Sequence, residues 1–115
     1  MNEGNRRDDI QEDPTLLLVS GSKGDKSSDK EYVKKLSNAI LEVYYKHNFV
    51  AKLRCVGAAA VNNAIKSSII AKGEALKRGD HILINPSFTT VVFHGEEKTG
   101  IVLEVCKGKE DKEDK

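Results

Sequence analysis

The chain has 115 residues, 38% of them hydrophobic, with a net charge of +1. That length suits one domain with a modest core, and no apolar run approaches the ~20 residues of a membrane span. The first 13 residues, MNEGNRRDDIQED, are too charged for a secretion signal. Two cysteines, Cys55 and Cys106, are too few for a disulfide framework and lack CxxC spacing. They read as reduced thiols, which predicts a cytosolic or nuclear setting.

Charge divides the chain into three parts. Residues 1–13 carry −3 and read as a disordered acidic tail. Residues 107–115 balance four lysines against four acids and read as a second charged tail. Between them, residues 14–106 hold 13 basic and 9 acidic residues, leaving +4 on the predicted domain. A mildly basic domain accommodates an anionic partner.

The first predicted element is a buried strand over Thr15–Val19, TLLLV. The loop SGSKGDKSSDK follows, and Ser28 with Glu31 forms an S-x-x-E capping box for the first helix. Val33, Leu36, Ile40, Val43 and His47 then recur at three- and four-residue spacing, with Asn48 as the stop. Phe49–Val56 alternates, so Phe49, Ala51, Leu53 and Cys55 face one way and Lys52 and Arg54 the other. Gly57 turns the chain into a second helix, expected to end at Gly73, with Val61, Ala64, Ile65, Ser68 and Ile69 on one side. Asp80–Asn85 and Phe88–Phe93 read as strands broken at Pro86, which places them at a sheet edge or bulge. After a turn at residues 94–97, Thr99–Cys106 returns as their partner, with Ile101, Leu103 and Val105 inward. The order β-α-β-α-β-β, with only two helices, predicts an α+β two-layer sandwich: a four-stranded sheet, both helices on one face, and a long terminal hairpin.

Three stretches bear on chemistry. Gly21 to Ser27 is spaced GxxGxKS and not as a P-loop, yet it leads into a helix N-terminus and carries Lys23 and Lys26, which suit phosphate. The small residues Gly57, Ala58, Ala59 and Ala60 let another backbone or a ligand approach the second helix, beside Asn62, Asn63 and Lys66. The hairpin tip offers His94 and Lys98, opposed by Glu96 and Glu97. His47, His81 and His94 are scattered and no nucleophile motif occurs, so neither an enzyme nor a metal or cofactor site is expected.

VGAAAVNNAIKSSIIAKG followed by INPSFTTVVFHGEEKTGIVLEV resembles the bacterial stage V sporulation protein S family over roughly residues 15–106. That family is similar to the Alba superfamily of small nucleic-acid-binding proteins. The resemblance implies a mixed sheet with the last strand antiparallel inside it and the third at its edge. It also implies homodimers or higher assemblies, and contact with DNA or RNA. The contacts carry over to Lys23 with Lys26 close by, to the turn at 57–60 and to the arm at 94–98. Here the turn holds alanines where an Alba protein usually has arginines, and the arm is acidic, so the phosphate grip is expected to be weak.

The expectation is a small, non-enzymatic nucleic-acid-binding protein of low sequence specificity. Lys23, Lys26, Arg54 and Lys66 would meet phosphates, Asn62 and Asn63 would donate hydrogen bonds, and His94 and Lys98 would arm the hairpin. The alternative is an assembly module that forms homo-oligomers without nucleic acid. A third reading is a small anionic ligand at the second helix's N-terminus.

Overall fold

A computed structural model describes residues 13–21 and 26–108, the second stretch with side chains from Asp29 onward. The strand β1 (Leu16–Leu18) leads to the helix α1 (Lys26–Lys46), the strand β2 (Val50–Cys55), the helix α2 (Ala58–Lys77) and the strands β3 (Ile82–Phe93) and β4 (Glu96–Lys107). The sheet order is β1-β2-β4-β3. β1 runs parallel to β2, while β4 is antiparallel to both of its neighbours. This is the predicted two-layer arrangement, with β3 at the edge.

α1 buries a stripe of large side chains, Val33, Leu36, Ile40, Leu41 and Tyr44, at three- and four-residue spacing. It starts at Lys26, ahead of the Ser28 expected as its cap. Its far end turns through Asn48 (φ 60°), the expected stop, and Phe49 (φ 68°). Such a backbone is uncommon for a bulky residue, and the surroundings fix it. The Phe49 N–H donates to the Tyr44 carbonyl at 2.7 Å, its ring packs edge-on to Tyr44 and Tyr45, and the Lys107 ammonium sits 4.4 Å from the ring centre.

β2 alternates as expected. Ala51, Leu53 and Cys55 are buried under the helices, and Val105, Leu103 and Ile101 stand directly opposite them on β4. The other face of the sheet carries Lys52 and Arg54. Asp13, expected in the tail, is tied to this domain: its carboxylate accepts from Thr15 and pairs with Lys52 at 3.2 Å.

Two breaks expected in the second half do not occur. β3 runs unbroken through Pro86, which stands opposite Leu103. At the sheet edge a missing N–H costs no ladder bond when it faces outward. α2 likewise continues past Gly73 to Lys77. Ala71 and Ala75, both fully buried, anchor the helix on either side of that glycine and outweigh its cost of about 1 kcal/mol.

The buried side of α2 also departs from expectation. Ala60, Asn63, Ala64, Ser67, Ser68, Ala71 and Ala75 are inside, whereas Ile65 and Ile69 are 40% and 63% exposed. Small side chains bring α2 close enough for the Ser67 hydroxyl to reach the Val33 carbonyl of α1 at 3.1 Å. Packing density across that short gap is set by alanine and serine, and the larger isoleucines are left outside.

Candidate nucleic-acid interface

The corner at residues 57–60 is built by close approach. Gly57 has φ 94°, a region that β-carbons disfavour, and the first turn of α2 has no side-chain cap. The connection leaving β1 packs onto this turn. A β-carbon added at Gly21 would lie 3.2 Å from the Ala59 β-carbon. The Asn63 side-chain amide donates to the Ser20 carbonyl at 3.1 Å, and the Ser20 N–H donates to the Tyr32 hydroxyl at 2.9 Å. The run of small residues therefore accommodates the chain's own backbone.

The candidate residues fall into three groups. Asn62 and Lys66 are exposed on α2, close to that corner. Arg54 is half-buried on the sheet face turned away from the helices, beside Lys52, so the sheet separates it from Lys66. His94 and Lys98 are exposed on the hairpin turn, with Glu96 and Glu97 equally exposed there. β3 and β4 pair with each other from Thr89–Gly100 out to Phe93–Glu96, beyond β4's last partner on β2, so this arm projects from the body. Asn63 differs from its expected role: it is 5% exposed and its amide is spent on Ser20. Lys23 and the side chain of Lys26 lie outside the described residues.

An apolar surface adjoins the corner, and periodicity alone did not reveal it. A cavity of about 580 Å³ opens between α2 and the hairpin, walled by Ala58, Val61, Ile65, Phe88 and Ile101, with Asn62 at its rim. Phe88 is 81% exposed, and Val92, on the same face of β3, is 64% exposed. With Ile65, Ile69 and Leu76 on α2 they leave one side of the molecule uncovered. The sequence signal is Ile65 and Ile69, which helical spacing groups with Val61, Ala64 and Ser68 and which the structure leaves exposed. Cys55 lies at the floor of the cavity, where burial pushes its thiol pKa up and keeps it protonated.

Among the described residues, no cluster of three or more His, Cys, Asp or Glu side chains is placed to hold a metal ion. No helix among them is long and apolar enough to cross a membrane. The family model of stage V sporulation protein S matches residues 26–108, from the start of α1 to just past the end of β4. Spanning both helices and the whole hairpin, that match means the chain belongs to the stage V sporulation protein S family.

Proposed function

We propose that this protein is a non-enzymatic nucleic-acid-binding protein of low sequence specificity that works as a homodimer in the cytosol or nucleus. The observation that carries the reading is the corner at the start of α2. Gly21 packs against Ala59, so the segment that goes on to Lys23 and Lys26 leaves from beside the uncapped first turn of α2 and the exposed Asn62 and Lys66. A helix N-terminus suits an anionic group such as phosphate, and Lys66 stands about two turns further along the same helix. The absence of arginine from this corner fits contacts made mainly to the phosphate backbone.

Labelled single- and double-stranded oligonucleotides titrated at two salt concentrations test the reading. Binding is expected to weaken steeply with salt, with a slope of about −0.9 in log K per phosphate contact on a duplex. No binding at the lower salt overturns it.

A second reading has its own observation. The uncovered side formed by Ile65, Ile69, Leu76, Phe88 and Val92 suits a second copy of the chain. If that surface is the whole function, the protein is an assembly module. Charge reversal at Lys23 and Lys26 separates the two: nucleic-acid binding collapses while self-association, followed by sedimentation, persists. A wild-type protein that stays monomeric at every concentration removes the homodimer.

A further inference from the structure

We infer that the outer groove between α1 and α2 is a cationic track for the phosphate backbone of a nucleic-acid duplex, centred on Lys34 and Lys66. This inference rests on the nucleic-acid reading above and moves the main contact from the corner onto the helical layer.

The Ser67 hydroxyl lies between two carbonyl acceptors, Asn63 of its own helix at 2.8 Å and Val33 of α1 at 3.1 Å, which marks the level at which the helices meet. Lys66 and Lys34 are the chain neighbours of Ser67 and Val33, and both are exposed. They therefore stand at the same height on either side of the groove. With 3.6 residues per turn, Lys30 sits one turn before Lys34 on nearly the same side of α1. Arg78 stands at the far end of α2, its guanidinium 4.7 Å from the centre of the Tyr45 ring of α1. From Lys30 to Arg78 the track runs for roughly 20 Å at 1.5 Å per residue.

Carboxylates border the track without pairing with its two central lysines. Glu31 lies about 60° round α1 from Lys34, towards the flank that carries Lys35, and Glu42 stands at the far end of the groove beside Tyr45 and Arg78. Glu74, seven residues after Ser67 and so on the same side of α2, is neutralised by Lys77 at 3.2 Å. Among the described residues no carboxylate pairs with Lys34 or Lys66. The groove also lacks an aromatic platform along its length, Tyr45 standing only at its end. Single strands gain much of their affinity from base stacking, whereas a duplex keeps its base faces inside and offers a regular double row of phosphates. The occupant that fits is the duplex.

The experiment compares two double variants of equal net charge, Lys34→Glu with Lys66→Glu, and Lys35→Glu with Lys46→Glu. Each is titrated against a labelled DNA duplex of about 20 base pairs over a salt series, with circular dichroism to confirm folding. The groove variant is expected to lose at least about tenfold in affinity and to flatten the salt slope by about 1.8, since each lost contact removes about 0.9. The flank variant is expected to keep the wild-type slope. Alanine replacements at Lys34 and Lys66 should flatten the slope equally, which distinguishes lost contacts from introduced repulsion. A wild-type protein that binds duplex while both variants behave alike overturns the groove and leaves the nucleic-acid reading standing. Tighter binding to a single strand of the same length overturns the duplex assignment. A wild-type protein that binds neither nucleic acid removes both readings.

Discussion

The two helices lie side by side on one sheet and use their side chains in opposite ways. α1 buries Leu36, Ile40, Leu41 and Tyr44 and keeps charge outside. α2 buries alanines, serines and an asparagine, and leaves Ile65, Ile69 and Leu76 in the open. Both helices carry enough apolar residues for a core stripe. Only α1 spends its large ones on this domain. What α2 contributes inward is close approach, and what it keeps outward is surface for something else. If the proposed homodimer forms through that surface, stability and association are written on different helices, and single substitutions can separate them.

The largest separation is between two isoleucines. Ile40→Ala removes a side chain with no solvent exposure and should cost about 2–5 kcal/mol through lost burial and the cavity it leaves. Ile69→Ala trims a side chain that is 63% exposed, and should change the unfolding free energy of the isolated chain by less than about 0.5 kcal/mol. In a homodimer it should weaken self-association instead. Chemical denaturation at low protein concentration, with sedimentation alongside, measures both. Equal stability losses would mean that α2 packs its isoleucines inward after all.

Two adjacent asparagines sharpen the same contrast. Asn63→Ala leaves the Ser20 carbonyl without its donor at a crowded corner and should cost about 1–3 kcal/mol. Asn62→Ala, one residue away but exposed, should be neutral to stability within about 0.5 kcal/mol. Thermal unfolding of the two variants decides it. If Asn62 proves the costlier one, the corner is held by something other than the Ser20 contact.

How much of this was legible beforehand depended on which residues carried the signal. β2 was readable because Ala51, Leu53 and Cys55 alternate with Lys52 and Arg54, so polarity alone gave both faces. The left-handed stop at Asn48 was readable because asparagine tolerates that backbone. The buried side of α2 was not, because hydrophobicity ranks Ile65 above Ser67, while the fold selected for size across the gap to α1. The unbroken β3 was not either: Pro86 interrupts a ladder only where its missing N–H faces a partner, and local sequence does not say which way that is. At the candidate site, charge marked Lys66 correctly as exposed, but Asn63 looked the same as Asn62 in sequence. Only the path of the β1–α1 connection distinguishes them. The groove pairing of Lys34 with Lys66 depends on the helices' relative level, which a contact 34 residues apart sets.

Tyr44 is a milder test of how completely α1 is committed to the core. Its side chain is fully buried, and its hydroxyl has no partner among the described residues. Tyr44→Phe removes that stranded hydroxyl and keeps the ring that packs against Tyr45 and Phe49. The substitution should be neutral or stabilising by up to about 1 kcal/mol, because burying an unpaired polar group is a cost that the phenyl ring avoids. A clear loss of stability on denaturation would reveal a partner for the hydroxyl.

The smallest expected effect lies at the edge of the sheet, away from both helices. Hydrogen bonds from Thr15, with help from Lys52, hold the Asp13 carboxyl below its usual pKa of 3.8. A depressed native pKa means the unfolded chain binds the proton more readily. The contribution is thus present in full above the unfolded pKa, and is lost as the pH falls through the native one. Asp13 and Lys52 are both more than a third exposed, so solvent screens the pair and the effect at neutral pH is slight. Asp13→Asn should flatten the acid limb of the stability profile below about pH 4 and leave its upper part parallel to wild type. Because neither helix takes part, the same change should leave the Ile40→Ala and Ile69→Ala difference untouched when the substitutions are combined. Non-additivity there would tie the sheet edge to the helical layer and erase the division of labour between α1 and α2.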